Sequence, residues 1–287
     1  MTRLIVADTV AQVRDCVKAW KKEGLTVGLV PTMGYLHEGH ASLVQKARQE
    51  CDKVIASVFV NPTQFGPNED LEAYPRDFER DCALLESCGA DAVFHPVPSE
   101  MYAGDFSTWV DMQGLTAGLC GKTRPTHFRG VCTVVSKLFN IVTPDRAYFG
   151  QKDAQQLAVI RRMVRDLNID VQIVGCPIVR EADGLAKSSR NTYLSAEERR
   201  AALVLSRAVA RGQAMASEGE TDAARIVAEM RRVLEAEPMA RIDYVEAVDA
   251  NSIEPVESLS RETLFAMAVY IGKTRLIDNF IVQSTEA

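Results

Sequence analysis

Short apolar runs alternate with amphipathic segments through the first part of the chain. The runs LIVA (4–7), TVGLVPT (26–32) and KVIASVFV (53–60) are rich in β-branched residues, which favour strands. Between them, residues 9–24 and 40–51 repeat apolar side chains every three or four positions, as one face of a helix does. Strands that alternate with helices predict a mostly parallel sheet covered by helices on both faces.

The same alternation continues to about residue 177. The pattern predicts a helix over 76–87 that Gly89 stops, and another around 133–142. It predicts strands at AVFHP (92–96), RAYFG (146–150) and VQIVG (171–175), with a helix from Asp153 between the last two. We therefore expect a doubly wound α/β domain over residues 1–178.

The pattern changes beyond residue 178. Two longer helical segments follow at 195–212 and 222–237, and Ser195 with Glu198 has the spacing of a capping box. Strand-like runs then occur at 241–248, 263–272 and 274–282, the last two joined at Gly272 and Lys273 as in a hairpin. These strands do not alternate with helices, so we expect a separate, smaller α+β domain over 179–287.

The composition of the chain argues against several classes of function. The 287 residues are 47% hydrophobic and carry a net charge of −6, so nothing global favours nucleic acid as a partner. The seven cysteines are scattered without a CxxC pair, which indicates reduced thiols rather than a disulfide framework or zinc site. The N-terminus lacks a signal sequence, and no apolar run approaches the roughly 20 residues needed to cross a bilayer. We expect a cytoplasmic protein with no membrane partner.

The familiar phosphate-binding motifs are missing. GLCGKT (118–123) resembles a P-loop, but Thr116 occupies the position of its first glycine. No GxGxxG occurs, so the dinucleotide-binding fingerprint is absent as well. A nucleotide on this sheet would be bound by other means.

Two histidines, His37 and His40, flank Gly39 where the predicted strand 26–32 gives way to a helix. A helix N-terminus at the carboxyl end of a parallel strand suits an anion, and imidazole N–H groups there can hydrogen-bond phosphate oxygens. One capping and one packed histidine is the plainer interpretation. A metal would need a third ligand, and none is apparent nearby.

HEGH (37–40) resembles the HxGH signature of the class I nucleotidyltransferase superfamily. The segments at 31–44, 57–77, 124–164 and 183–195, and RLIDN at 275–279, are similar in order and spacing to the pantothenate synthetase (pantoate–β-alanine ligase) family. The resemblance implies a Rossmann-like sheet of the HxGH nucleotidyltransferase type and a small C-terminal domain that acts as a lid. It also implies an ATP-dependent ligase that joins pantoate to β-alanine through a pantoyl-adenylate, releasing pyrophosphate and AMP, and a homodimer.

The resemblance assigns the ATP site residue by residue. It places His37 and His40 on the phosphates, with backbone from Met33 and Gly39 nearby. It places Phe149, Gly150 and Asp153 at the adenosine, with Lys152 facing the phosphates, and it makes Lys187, Ser188, Ser189 and Arg190 a mobile loop over the departing phosphates. The catalytic set is then His37, His40, Lys152, Ser188, Ser189 and Arg190.

The resemblance also assigns the acid pocket and a metal ligand. Gln64 and Gln156 would bind the hydroxyl and carboxylate groups of pantoate, Asn61 and Tyr74 would line the pantoate and β-alanine side, and Arg124 would support the phosphates or order its loop. Asp81 would contact the Mg²⁺ that accompanies ATP. Plainer interpretations are solvated glutamines, an N-cap at Asp153, a serine-rich linker at 187–191 and a helix-surface carboxylate at Asp81.

Two rival functions stay open at this point. Another HxGH enzyme would transfer a nucleotidyl group to a phosphate-bearing substrate and stop there, whereas a nucleotide sensor or RNA-binding relative would bind without chemistry. The lack of a basic stripe speaks against RNA. Thr126, Ala154 and Lys187 depart from the family pattern, and these departures concern packing near the loop and the adenine.

Overall fold

The computed structural model describes residues 3–67 and 69–284. They form two compact units. The first comprises Met1–Met112, Arg124–Gln151 and Val159–Pro177; the second comprises Gln113–Thr123, Lys152–Ala158 and Ile178–Ala287. Within the described residues, no helix is long and apolar enough to cross a membrane.

Nine strands and ten helices occur in the described part of the chain. The strands are β1 Ile5–Ala7, β2 Val27–Thr32, β3 Lys53–Val58, β4 Ala92–Phe94, β5 Arg146–Gly150, β6 Gln172–Cys176, β7 Ala240–Asp249, β8 Thr263–Ile271 and β9 Thr274–Val282. The helices are α1 Val10–Lys22, α2 Glu38–Glu50, α3 Phe78–Ser87, α4 Pro98–Met101, α5 Leu119–Thr123, α6 His127–Val142, α7 Ala154–Asp166, α8 Ala196–Ala201, α9 Leu203–Ser217 and α10 Ala223–Glu235. Short 3₁₀ turns lie at Pro62–Gln64, Gln151–Asp153 and Ser189–Tyr193.

The first unit is built on a six-stranded sheet with the order β1-β4-β3-β2-β5-β6, and every neighbouring pair is parallel. From β2 the chain adds β3 and β4 on one side, then returns to place β5 and β6 on the other. The order therefore reverses between β2 and β5, and ligands of open α/β sheets bind outside the carboxyl ends of the strands at such a point. Sequence segments after Thr32 and Gly150 consequently begin at the switch point. The predicted fold class is confirmed.

Apolar residues of the strands and of α2 form the core of the first unit. Val30, Val54 and Val93 lie in neighbouring strands, and Val44 and Ala47 of α2 pack against them with almost no exposed surface. Burying a side chain of valine size stabilises a fold by roughly 1.5–3 kcal/mol. This packing fixes α2 against the sheet, and with it the N-terminal turn that carries His37 and His40.

The second unit pairs α9 and α10 with an antiparallel sheet of order β7-β8-β9. The Gly272–Lys273 turn joins β8 to β9, as predicted. Ile226, Met230 and Leu234 follow one face of α10 at four-residue spacing and are fully buried with Phe265 and Met267 of β8. The predicted capping box is present: Ser195 accepts from the Glu198 N–H, and Glu198 accepts from the Ser195 N–H.

Two details differ from the sequence-based predictions. The helix expected over 195–212 is split into α8 and α9, because the Leu205 N–H bonds to Ala202 O three residues back at 3.1 Å, which is the tighter 3₁₀ pattern. The second unit also includes 113–123 and 152–158. The two units are therefore not divided by one boundary at residue 178. Gln155 explains part of this, since its amide bonds to the Leu115 and Gly118 carbonyls.

Candidate functional site

The imidazoles of His37 and His40 lie at the N-terminus of α2, directly after the carboxyl end of β2. His37 is the N-cap residue, and its Nδ1 accepts a hydrogen bond from the Gly39 N–H at 3.1 Å. His40 reaches back, and its Nδ1 accepts from the His37 N–H at 3.3 Å. The two histidines thus form a reciprocal capping box of the kind that serine and glutamate usually make.

This capping decides the tautomer of both rings. A ring nitrogen that accepts a backbone N–H carries no proton, so the neutral imidazole holds its proton on Nε2. Each ring therefore offers an Nε2–H donor at a helix N-terminus, where the dipole already favours anions. The ring centroids are 4.1 Å apart, so the two donors belong to one locus.

Asp81 of α3 braces the turn between β2 and α2. Its Oδ2 accepts from the Tyr35 N–H at 2.8 Å and its Oδ1 from the Leu36 N–H at 2.6 Å. Gly34 has a φ of +88°, and a Cβ there would lie 2.9 Å from Val58 Cγ1 and 3.1 Å from Asp81 Oδ2. Only glycine fits this conformation and this space.

The surroundings of Asp81 do not fit a Mg²⁺ ligand. The residue is 1% exposed, and both carboxylate oxygens already accept backbone N–H groups. Burial raises the pKa of Asp81, although the hydrogen bonds from Leu36 and Tyr35 act in the opposite direction. Within residues 3–67 and 69–284, no group of three or more His, Cys, Asp or Glu side chains is arranged to hold a metal ion.

A second polar locus follows the carboxyl end of β3. Asn61 is the N-cap of the short 3₁₀ turn and Gln64 is its last residue, and the two are 1% and 8% exposed. Asn61 Nδ2 donates to Gln64 Oε1 at 3.2 Å, and Gln64 Nε2 lies 2.9 Å from Met33 Sδ. Because Met33 follows β2, this contact brings the loops after β2 and β3 together within the first unit.

Arg124 and His127 hold the same turn from the side of α6. Arg124 Nε donates to Glu69 Oε1 at 2.7 Å, and Arg124 Nη2 donates to the Gln64 carbonyl at 3.3 Å. His127 Nδ1 lies 3.0 Å from that same carbonyl. These contacts fit the loop-ordering role expected for Arg124, whereas its phosphate role stays a prediction.

The remaining predicted residues of the first unit are Tyr74, Phe149, Gly150 and Gly39. Tyr74 is buried, with its ring edge-on to Phe65 at 6.1 Å between centroids. Phe149 is buried at the end of β5, and Gly150, the last residue of that strand, is half-buried. The Gly39 N–H donates the capping hydrogen bond to His37 Nδ1. A contact between the Gly39 backbone and ATP therefore also stays a prediction.

The second unit contributes Lys152, Asp153 and Gln156. Lys152 Nζ lies 3.6 Å from Asp153 Oδ2, and the Lys152 carbonyl accepts from Asn279 Nδ2 at 2.9 Å. Gln156 is half-buried in the first turn of α7, whereas its neighbour Gln155 is 5% exposed. Asp153 ends the 3₁₀ turn before α7.

Lys187 to Arg190 follow a short hairpin in the second unit. Its two sides meet at the bridge between Arg180 and Ala186, and the Lys187 N–H donates to the Val179 carbonyl at 2.9 Å. Ser188 then caps the 3₁₀ turn by accepting from the Arg190 N–H at 3.3 Å. Ser189 is buried, while Ser188 and Arg190 are half-buried.

Three anchoring residues went unassigned in the sequence analysis. Asp278 of β9 binds Arg180 with both oxygens, at 2.7 and 2.9 Å, and adjacent Asn279 holds the Lys152 carbonyl. The signal was two consecutive polar residues inside the apolar run RLIDNFIV. Tyr102, which donates to Asn61 Oδ1 at 2.8 Å, gave no signal, because an isolated tyrosine has no pattern.

A doubly wound parallel sheet with two histidines at its switch point is typical of the Rossmann-like class of proteins, which bind ligands at the carboxyl ends of their strands. A family model described as pantoate-beta-alanine ligase matches residues 5–281. The chain belongs to the pantoate–β-alanine ligase family, and the resemblance stated from its motifs is confirmed.

Similar proteins align with this chain over nearly their whole length. Pantothenate synthetase from Ruminiclostridium cellulolyticum is 60% identical over 273 residues, 95% of this chain and 97% of that protein. The crystal structure of pantothenate synthetase from Thermus thermophilus has a TM-score of 0.92 at 47% identity, covering 98% of this chain and 100% of that one. The pantoate–beta-alanine ligase of Francisella tularensis, complexed with beta-gamma ATP and beta-alanine, is 34% identical with a TM-score of 0.79 over 97% of each chain. The chain is accordingly an ATP-dependent carbon–nitrogen ligase that joins pantoate to β-alanine.

Proposed function

We propose that this ligase works through a pantoyl-adenylate. A carboxylate oxygen of pantoate attacks the α-phosphorus of ATP, and the bond to the pyrophosphate oxygen breaks. The amine of β-alanine then attacks the acyl carbon, loses a proton, and displaces AMP to give pantothenate. Placement and charge stabilisation dominate such phosphoryl chemistry.

The reciprocal capping of His37 and His40 through Nδ1, which leaves the proton of each neutral ring on Nε2, is the observation that carries this proposal. Negative charge grows on the phosphate oxygens as pyrophosphate departs, and fixed donors at that position stabilise the transition state without reorganisation. The capping bonds at Nδ1 hold both rings. An Arg or Lys would add charge here, but its longer side chain would be less rigidly placed.

Gln64 is the predicted pantoate residue of the first unit, and its burial and hydrogen-bonded placement support that role. From the second unit we retain Gln156 for pantoate, Lys152 and the 187–190 segment for the phosphates, and Asp153 for the ribose. Met33, Gly39, Phe149 and Gly150 are retained at ATP, and Tyr74 at the acid pocket. The lid role of the second unit also stays a prediction.

Mg²⁺ is expected to arrive with ATP and to keep mostly phosphate and water ligands. The buried Asp81, whose two oxygens accept backbone N–H groups, does not fit Mg²⁺ as a ligand. A homodimer and a cytoplasmic location complete the proposal as family-based expectations. Neither enters the mechanism of one chain.

Pyrophosphate and AMP release from ATP test the proposal directly. The reaction is run with pantoate alone, with β-alanine alone and with both. We expect a stoichiometric pyrophosphate burst that needs only pantoate, and steady AMP formation that needs both substrates. Nucleotidyl transfer without AMP as a final product would favour the rival transferase, and ATP binding without pyrophosphate would favour a sensor.

A further inference from the structure

Asn61 has no hydrogen-bonding capacity left for a substrate. Its Oδ1 accepts from the Tyr102 hydroxyl at 2.8 Å, from Thr63 Oγ1 at 2.9 Å and from the Thr63 N–H at 3.4 Å. Its Nδ2 donates to Gln64 Oε1 and to the Gly130 carbonyl, both at 3.2 Å. Both N–H groups are therefore used within the protein, and the side chain is almost fully buried.

These partners fix the orientation of the Asn61 side-chain amide. A backbone carbonyl can only accept and a backbone N–H can only donate, so the Gly130 carbonyl and the longer contact of the Thr63 N–H favour this orientation over the flipped amide. The Tyr102 and Thr63 hydroxyls add two further donors on the Oδ1 side. The orientation is thus set by complementary partners at both ends.

The Asn61 amide in turn sets the direction of the Gln64 amide. Because Asn61 presents an N–H, it binds the Gln64 oxygen, and Gln64 Nε2 turns towards Met33 Sδ at 2.9 Å. A thioether sulfur is a weak acceptor. An oxygen atom of a ligand would be a stronger partner for that N–H group.

We propose that Asn61, held by Tyr102 and Thr63, is a positioning residue that presents Gln64 as a hydrogen-bond donor to an oxygen of the acid substrate. The inference rests on the proposed function and replaces the direct substrate contact predicted for Asn61. It makes Tyr102 a specificity determinant that touches no substrate. A flipped Gln64 would present its carbonyl oxygen instead and repel a carboxylate.

The surroundings of Tyr102 keep it a donor. Its ring packs edge-on against Phe106, with centroids 5.0 Å apart, and lies 6.4 Å from that of Phe59. Burial raises the pKa of Tyr102, outweighing its hydrogen bonds with Thr63 and Asn61. The phenol therefore stays protonated at neutral pH.

The packing of α6 on the turn holds the same arrangement. A Cβ at Gly130 would overlap the Thr63 carbonyl and lie 2.6 Å from the Gln64 backbone. The helix backbone can approach this closely only because residue 130 is glycine. This approach is what brings the Gly130 carbonyl to Asn61 Nδ2.

The test is a set of isosteric variants, Tyr102→Phe, Thr63→Val and the pair together, measured in the full-length enzyme. We expect the double variant to raise KM for pantoate about tenfold, which is the effect of losing one hydrogen bond. KM for ATP and KM for β-alanine should not change. Tyr148→Phe is the matched control, because Tyr148 is fully buried and its hydroxyl bonds instead to Glu50 Oε2 at 2.9 Å. That control should keep KM for pantoate within about twofold of wild type.

A double-mutant cycle separates positioning from simple loss of stability. In a Gln64→Ala background, the Tyr102→Phe/Thr63→Val pair should change KM for pantoate less than about twofold, because the group it positions is gone. Fully additive effects, or equal rises in KM for all three substrates, would overturn the inference.

An activity-independent readout keeps this inference distinct from the proposed function. In ¹⁵N-labelled enzyme without ligands, the side-chain amide signals of Asn61 and Gln64 should shift or broaden in the paired variant and stay unchanged in Tyr148→Phe. Unchanged signals in the paired variant would refute the positioning role. A wild-type enzyme that releases no pyrophosphate with pantoate would instead refute the proposed function.

Discussion

His37 and His40 cap one helix reciprocally, each Nδ1 accepting a backbone N–H from the same short segment. The capping and phosphate interpretations of these residues are therefore compatible, because they use different nitrogens of the same rings. The capping bonds use Nδ1 of each ring, and the proposed phosphate contacts would use Nε2. The separate use of the two ring nitrogens can be tested by substitutions that keep the capping bond and remove the Nε2 donor.

His37→Asn should separate capping from catalysis. Asparagine is a favoured N-cap residue, so we expect the free energy of unfolding to change by less than about 1 kcal/mol. Turnover should fall by roughly a hundredfold or more, the usual cost of losing one such donor, and His40→Ala should show a comparable loss. Steady-state AMP formation and thermal unfolding measure the two effects.

Thr9→Ala is the control for helix capping alone. Thr9 forms the equivalent capping box on α1 with Gln12, so its loss should lower stability and leave turnover per folded enzyme unchanged. A wild-type rate in either histidine variant would contradict the phosphate role.

Substitutions of the adjacent residues Gln155 and Gln156 should affect different properties, stability and substrate binding respectively. Gln155 Oε1 accepts from the Cys120 N–H at 2.9 Å, and its Nε2 donates to two carbonyls of the 113–123 segment. Gln155→Leu should therefore cost about 1–3 kcal/mol of stability, because buried polar groups lose their partners. Gln156→Ala should raise KM for pantoate far more than KM for ATP, with little change in thermal unfolding. Equal losses for both substrates would mean that Gln156 does not belong to the acid pocket.

Asp81→Asn should weaken the β2–α2 turn without changing metal use. The new amide NH₂ would face the Tyr35 or Leu36 N–H, a donor against a donor, which costs about 1–3 kcal/mol. The Mg²⁺ concentration that gives half-maximal activity should stay the same. Asp77→Asn is a matched control, since an asparagine caps α3 as well as the aspartate that now accepts from the Arg80 N–H. A large rise in the Mg²⁺ requirement of Asp81→Asn alone would restore the metal-ligand assignment.

The ion pair of Glu69 with Arg124 should make stability depend on pH in the acid range. Burial by itself raises the pKa of Glu69, but the hydrogen bond and charge of Arg124 outweigh it, so the pKa lies below its ordinary value of 4.5. A depressed carboxyl pKa adds stability above the unfolded value, and that stability is lost as pH falls through the folded pKa. The melting temperature of wild type should thus exceed that of Glu69→Gln near neutral pH, with the gap closing below about pH 4. A gap that stays constant down to about pH 3 would contradict this.

The periodic parts of the chain were predictable from sequence. Alternation of apolar runs with helical faces predicted the parallel sheet, and the position of His37 after the run at 26–32 predicted a helix N-terminus at the carboxyl end of that strand. Tertiary partners were not predictable, because they depend on side chains far apart in sequence. Asp81 looked like a helix-surface carboxylate, since nothing in its neighbourhood shows that the turn at Tyr35 and Leu36 packs over it.

The same limit applies to neighbouring residues of one type. Gln155 and Gln156 are indistinguishable by composition, and only the close approach of the 113–123 segment makes one of them an anchor. Asn61 was assigned to the substrate side by the family resemblance alone. Its saturation by Tyr102, Thr63, Gln64 and Gly130 becomes visible only when all four are placed around it.

The second unit is assembled from three separate stretches of sequence, which has a consequence for biosynthesis. Cys120 Sγ lies 3.2 Å from the Tyr244 hydroxyl, yet the two residues are 124 positions apart in the chain. At translation rates of about 5–20 residues per second, the 113–123 segment waits on the order of 6–25 s for that partner to be made. A nascent chain stalled between α7 and β7 therefore holds this segment through Gln155, without its Tyr244 contact.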